Sequence, residues 1–350
     1  MDWINQLSDT GQFLLFSAVK IIGVFAVMMF IVAYIVLVER KLCAAIQDRI
    51  GPNRAGPFGL LQPIADAVKF FLKEDFRPAH VRPVYYWLAP AIVMIPSLLI
   101  MAVIPFGSRL GRHALVIADL NVGILYTFGI VSLGVYGIVL AGYAANSKYP
   151  FIGGIRSGAQ MISYEVAMGM SVIPVFLLVG DLNLSAVVGY QTHGLFSWLV
   201  FKQPLAFAIF LAAAFAETNR LPFDLPEAEQ ELAGGYNVEY SSIKFALFFM
   251  GEYANMVAAS AMMVTLFFGG WTLPWFGLDQ PAQAGEWLKG LAHVGIFLGK
   301  VLAFLLLFIW VRWMWPRFRY DQLMNLGWKR FVPLALANIV LTAGWLWMRA

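Results

Sequence analysis

Phe13 to Val38 reads FLLFSAVKIIGVFAVMMFIVAYIVLV, twenty-six residues in which Lys20 is the sole charge. A helix rises about 1.5 Å per residue, and a bilayer core of about 30 Å takes about 20 apolar residues. The segment therefore predicts a membrane-crossing helix. It lacks a basic leader, is too long for a secretory signal and is followed by no small-residue cleavage site. Seven further apolar stretches follow, at 87–105, 121–143, 159–180, 203–216 with an upstream apolar run at 195–201, 241–268, 293–315 and 332–348. Lys202, Gln203 and Pro204 interrupt the fifth, which makes it the weakest of the eight. The expected fold is an all-α polytopic membrane protein, residues 1–350 forming one integral membrane domain.

Composition agrees. The 350 residues are 61% hydrophobic and 13% charged, against roughly 25% charged in a soluble globular chain. Forty-four charges cannot cover a soluble surface of that size, which excludes a cytosolic enzyme, a disulfide scaffold and a disordered tail. Cys43 is the one cysteine, too few for a disulfide or an iron–sulfur cluster on this chain. His80, His113, His193 and His293 share no helix-face spacing, so a haem or zinc site is not expected. There is no Walker loop, and the Gly153, Gly154, Gly158 cluster has the wrong spacing for GxGxxG. No internal repeat is visible, against an inverted-repeat transporter.

Fifteen Lys/Arg follow the odd-numbered spans and five lie on the opposite side. The positive-inside rule puts the odd loops in the cytoplasm and both termini on the outer, periplasmic side. Lys20, Lys244, Lys300 and Arg312 lie near span ends, where snorkelling explains them.

Polar chemistry concentrates in three places. The first cytoplasmic loop, 39–86, starts at Glu39-Arg40-Lys41 and contains an amphipathic segment at 60–74. There Leu60, Ile64, Ala67, Val68, Phe71 and Leu72 share one face, and Gln62, Asp66, Lys69 and Lys73 the other. Such a helix lies in the membrane interface, with or without chemistry of its own. The loop at 217–240 carries six carboxylates and one arginine up to Glu239, a net charge of −5. It is solvated, paired with a basic partner, or facing a water-filled cavity. Finally, Glu165 and Glu252 lie inside spans, about 9 Å and 18 Å past their cytoplasmic ends at 1.5 Å per residue. A charge at such depth costs at least about 2.5 kcal/mol, so these groups are functional or held neutral by hydrogen bonds. Tyr164 and Tyr253 adjoin them as possible partners. Loop acids at the rim, Glu165 shallow and Glu252 deep suggest a proton path from a cytoplasm-side cavity towards mid-membrane.

Four stretches then resemble a known family: Glu39–Asp75 (ERKLCAAIQDRIGPNRAGPFGLLQPIADAVKFFLKED), Ile162–Glu165 (ISYE), Ala216–Ser241 (AETNRLPFDLPEAEQELAGGYNVEYS) and Phe248–Met256 (FFMGEYANM). They resemble the H-subunit family of the proton-pumping NADH–quinone oxidoreductases, respiratory complex I, over essentially the whole chain. The resemblance implies a quinone substrate, ubiquinone or menaquinone, and no metal, haem, flavin or iron–sulfur cluster on this chain. It implies a bacterial inner-membrane location. Its implied partners are peripheral-arm subunits carrying iron–sulfur clusters, small membrane subunits, antiporter-like subunits and membrane lipids, with no nucleic acid. By the same resemblance Arg40, Asp66, Lys69, Phe223, Asp224 and Glu227 are quinone-chamber or entry residues. Glu165, Glu217, Glu227, Glu231 and Glu252 form the acidic path, Glu229 ranking below them. No residue is assigned a catalytic role. Three alternatives stay open: the related subunit of a membrane-bound hydrogenase or another quinone-free complex, an independent proton-coupled transporter, and a passive anchor.

Overall fold

The computed structural model describes residues 9–111, 113–226, 233–283 and 285–349. Helix α1 (Asp9–Ile46) is followed by the short α2 (Gln62–Leu72), then α3 (Pro83–Ile100), α4 (Gly123–Ala144), α5 (Lys148–Val179) and α6 (Leu184–Tyr190). The chain continues through α7 (Leu199–Lys202), α8 (Pro204–Glu217), α9 (Ser242–Phe267), α10 (Trp287–Met314), α11 (Tyr320–Leu326) and α12 (Val332–Arg349). A two-residue hairpin pairs Arg109–Leu110 (β1) with His113–Ala114 (β2).

Among the described residues seven helical segments are long and apolar enough to cross a membrane. The difference from eight lies in the fifth stretch. Pro204 opens α8 and forces Gln203 out of helical geometry (φ −134°, ψ 58°). That leaves α8 with 14 residues, about 21 Å of helix. The break is tied down rather than loose. Buried Gln203 donates through Nε2 to Thr342 Oγ1 at 3.0 Å, and its Oε1 accepts from Asn338 Nδ2 at 3.0 Å, both on α12.

Two further boundaries move. Helix α5 starts at Lys148, eleven residues before the expected span, so Glu165 sits in the middle of a 32-residue helix. Helix α1 continues to Ile46, so Glu39 and Arg40 are helical residues rather than the start of a loop. Glu-Arg-Lys, with Leu42 to Ile46, is compatible with helix; charge marks a change of solvent, not the end of hydrogen bonding.

Helix α9 is central: 72% of its most apolar stretch is buried, against 11% for the segment ending in α12. It packs on α3, α10, α1 and α8, and the main core gathers Phe210, Phe267, Phe308, Tyr164 and Met263 around it. Close approach matters at Gly153. A Cβ there would lie 3.0 Å from the Cα of Gly235, so this glycine lets the turn carrying Tyr236 lie directly on α5. Gly234 and Gly235 both have positive φ, at 107° and 65°, which accounts for the double glycine.

Helix α2 has its apolar stripe turned outward: Ile64, Val68, Phe71 and Leu72 are exposed. It is anchored on α9. Ser242 Oγ donates to the carbonyls of Phe70 and Lys73, each at 2.9 Å. Just beyond it Asp75 accepts from Lys244 Nζ at 2.5 and 2.8 Å.

The four cations assigned to snorkelling all have fixed polar partners, and three of them meet those partners within the bundle. Lys244 is only 2% exposed and lies 3.7 Å over the Trp87 ring. Lys300 donates to the carbonyls of Phe268, Gly270 and Thr272. Lys20 donates to Val116 O at 2.7 Å, and Arg312 pairs with Glu39. Position along a span does not tell which face a residue occupies: Lys300, midway along α10, Lys244 and Arg312 meet partners inside, where these compensate desolvation, and Lys20 bonds loop carbonyls.

Asp75→Ala removes the partner of a buried ammonium. It should cost about 1.5–3 kcal/mol of local stability and speed amide exchange across Gln62–Leu72; unchanged exchange there would show that the ion pair does not hold α2.

Candidate functional site

Glu39 gathers the polar interior. It is 5% exposed on the inner face of α1. Its Oε1 accepts from Arg312 of α10 and lies 3.6 Å from Arg220 Nη1. Its Oε2 accepts from the Tyr253 hydroxyl of α9 at 2.6 Å. The Arg220 guanidinium lies 4.2 Å over the Tyr253 ring. Two guanidiniums thus meet one carboxylate. The second negative group is Glu252, which interacts electrostatically with Arg220 and accepts from the Tyr236 hydroxyl at 2.8 Å. With Glu252 ionised the four charges balance; with it protonated one positive charge remains.

The start of the acidic loop is fixed to α5 by Gln160. Its buried Nε2 lies 2.7 Å from Ala216 O, 2.8 Å from Phe223 O and 3.2 Å from Asn219 Oδ1. Glu217 closes α8, buried, and interacts electrostatically with Glu165 across from it on α5. It lines a cavity of about 40 Å³ with Thr218 and Asn255, room for a water molecule. Asp224 accepts from Arg317 Nη2 at 3.1 Å and interacts electrostatically with Arg312 and Arg220. Burial pushes the Asp224 carboxyl above its ordinary range, and Arg317 offsets this only in part. Phe223 stacks on Phe318, ring centroids 5.4 Å apart, and meets Tyr164 at 5.5 Å.

Several buried polar atoms on this axis have no hydrogen-bond partner among the described residues: Glu217 Oε2, Asp224 Oδ1, Arg317 Nε, and Arg220 Nε and Nη2. Each costs about 1–3 kcal/mol if left dry, so the axis favours water or a polar ligand.

The sequence-assigned residues therefore fall into separate groups. Arg40, Asp66 and Lys69 meet on the surface beside α2: Arg40 Nη1 to Asp66 Oδ2 is 2.8 Å and Lys69 Nζ to Asp66 Oδ1 is 3.8 Å. Phe223 and Asp224 belong to the buried axis, as do Glu165 with Glu217, and Glu252. Among the described residues no ion pair joins the α2 group to the axis. Glu227 and Glu231 lie outside the described residues. The two tyrosines do not serve their neighbouring glutamates: Tyr253 bonds Glu39, and Tyr164 donates to Leu323 O at 2.9 Å. Consecutive helical residues do not share a face. Sequence reading missed Glu39, Arg312, Arg317, Tyr236 and Gln160. An arginine inside an apolar run was the available signal for Arg312.

A family model described as NADH dehydrogenase matches residues 19–343. The chain belongs to this family. The first H subunit of the NADH–quinone oxidoreductase of Cytophaga hutchinsonii is 47% identical over 338 residues, 95% of this chain and 96% of that protein. NADH–quinone oxidoreductase subunit 8 of Rhodothermus marinus is 50% identical, covering 90% and 93%. The H subunit of the Rhodospirillum rubrum NADH–quinone oxidoreductase is 50% identical, covering 90% and 89%. This NADH dehydrogenase family member is thus a subunit of an NADH–quinone oxidoreductase, and the hydrogenase-type reading is not favoured.

For this family member, Glu39→Gln leaves Arg220 buried with half its compensation and should lower stability by about 3–5 kcal/mol. The Glu39→Gln/Arg220→Gln pair should lose less than the sum of the single variants, measured by denaturant melts of the purified complex. Additive losses would show that the two side chains do not interact.

Proposed function

We propose that this subunit forms the membrane wall of the quinone chamber and couples quinone reduction to proton translocation through its buried charges. The observation that carries the reading is the run of electrostatically connected groups from the half-buried Asp224–Arg317 pair, through Arg312, to the enclosed Glu39, Arg220 and Glu252. The unpartnered Arg317 Nε is a donor suited to a quinone carbonyl, and Asp224 Oδ1 an acceptor suited to a quinol hydroxyl. Phe223 and Phe318 beside them offer aromatic surface to the ring. Arg40, Asp66 and Lys69 line the approach from the interface, where the outward apolar face of α2 meets lipid. Glu227 completes the chamber rim, and Glu217, Glu165, Glu227, Glu231 and Glu252 hold and pass protons.

In this reading the chain is one membrane domain, 1–350, with functional segments at 39–86, whose first residues continue α1 to Ile46, and 217–240. Helices α7 and α8, about 27 Å together at 1.5 Å per residue, act as one broken crossing and complete eight. Both termini lie on the periplasmic side of a bacterial inner membrane. Electrons come from peripheral-arm subunits with iron–sulfur clusters, and the response passes to small membrane and antiporter-like subunits. The substrate is ubiquinone or menaquinone.

Asp224→Asn tests this reading. Losing one charge-assisted contact is worth about 1.5–3 kcal/mol, so quinone reduction and pumping should fall together by about 10- to 100-fold. The variant should also lose a pH dependence. Because the folded Asp224 holds its proton above the ordinary carboxylate range, its burial destabilises the fold as pH rises from that range through the raised value, and asparagine abolishes this. Normal quinone reduction with normal pumping would overturn the assignment.

A further inference from the structure

A second site lies on the N-terminal half of α1, away from the charged axis. A cavity of about 880 Å³ opens between Gly23, Val27 and Ile31 of α1, Val257 of α9, and Val294 and Val301 of α10. None of the axis residues lines it, and its lining contains no carboxylate. Its volume is in the range of a ligand pocket.

Its position relative to the membrane can be read from α1. Residues 21–38 carry no charge, and Lys20 and Arg40 bracket them. Twenty residues at 1.5 Å make about 30 Å, the thickness of the hydrocarbon core. If Arg40 marks one interface, Lys20 marks the other. On the membrane side of Lys20 the cavity follows α1 to Ile31, about 16 Å down the helix and close to the depth of one leaflet, and beyond Lys20 it continues outward past Phe16 and Gln12.

The polar end fits a headgroup. Lys20 Nζ donates to Val116 O at 2.7 Å and to Ala114 O at 3.4 Å, which uses two of its three N–H groups. His113 stacks on Phe16 at 3.7 Å at the same end. A cation at headgroup depth above an apolar slot one leaflet deep complements a molecule with a phosphate and an acyl chain.

We propose that this cavity is a phospholipid-binding site, with the phosphate on Lys20 and one acyl chain in the slot against Gly23, Val27 and Ile31. The lipid belongs to the leaflet opposite the Arg40 side. It would wedge α1 against α10 without entering the quinone chemistry.

Gly23 gives the test. A Cβ there meets no atom within 4 Å, so larger side chains at this position project into the cavity instead of into packed protein. The purified complex is reconstituted in vesicles containing phosphatidylglycerol with a photoactivatable diazirine on its acyl chain. After illumination, adducts on residues 20–31 are quantified by mass spectrometry, with NADH–quinone activity as the assembly check. Wild type and Gly23→Ala should be labelled alike, Gly23→Phe severalfold less, and Lys20→Gln less as well. If Gly23→Phe does not assemble, Val27→Trp fills the slot from the next turn. Absence of adducts in the wild type would overturn the proposal, as a helix of a partner subunit in the cavity would produce. Labelling unchanged by filling the slot, or displaced by excess ubiquinone, would overturn it too. Failure here leaves the Asp224 reading intact, since the two share no residue.

Discussion

Glu39 stands where α1, α9, α10 and the loop after α8 converge, and its carboxylate answers to groups on the other three. Removing a carboxylate from water into a poorly polarisable interior costs several kcal/mol unless opposite charge and hydrogen bonds replace the solvent. Here two guanidiniums and a phenol do so. The arrangement dictates much else. Arg220 must come inward, so the loop after α8 must fold back over the bundle. Gln160 fastens that return by bonding the carbonyls on either side of it. The turn at Gly235 then brings Tyr236 to Glu252. Loop and membrane helices are thereby one electrostatic unit.

A unit of this kind transmits charge changes. Two charges 4 Å apart interact by about 4 kcal/mol at an effective dielectric of 20, far above thermal energy. Gaining or losing a proton at Asp224 alters the field at Arg312 and Arg220, and these in turn face Glu39 and Glu252. The four-charge balance around Glu39 makes Glu252 the responsive member, because its ionisation decides whether the cluster is neutral. A charge change at Asp224 then reaches Glu252 without any large motion, through a chain of close charges.

Much of this was legible in the residues. Long apolar runs marked the membrane helices, and the period of Ile64, Val68, Phe71 and Leu72 marked an amphipathic helix whose apolar stripe does face outward. Glu252 stood out by its depth. What the chain order could not supply was direction around a helix. Lys244 and Arg312 sit near helix ends, and Lys300 midway along α10, whether they point to water or inward, and only packing separates the two. Tyr253 adjoins Glu252 in sequence but lies on another face and serves Glu39. Glu39 itself looked like the first residue of a loop, since a charge after an apolar run signals a change of surroundings. Helix α1 continues through it, and guanidiniums on α10 and in the loop after α8 meet its carboxylate inside. The broken fifth crossing was marked by Pro204, although the clasp of Gln203 on α12 depends on residues 135 and 139 positions away.

The central claim is that charge changes at the loop carrying Asp224 reach the middle of the membrane through Glu252. The direct measurement is the number of protons translocated per electron in vesicles containing the purified complex with Glu252→Gln. Glutamine keeps the shape and an acceptor for Tyr236 but cannot exchange a proton. The account predicts an assembled complex that pumps few or no protons. Wild-type stoichiometry in that variant would contradict it.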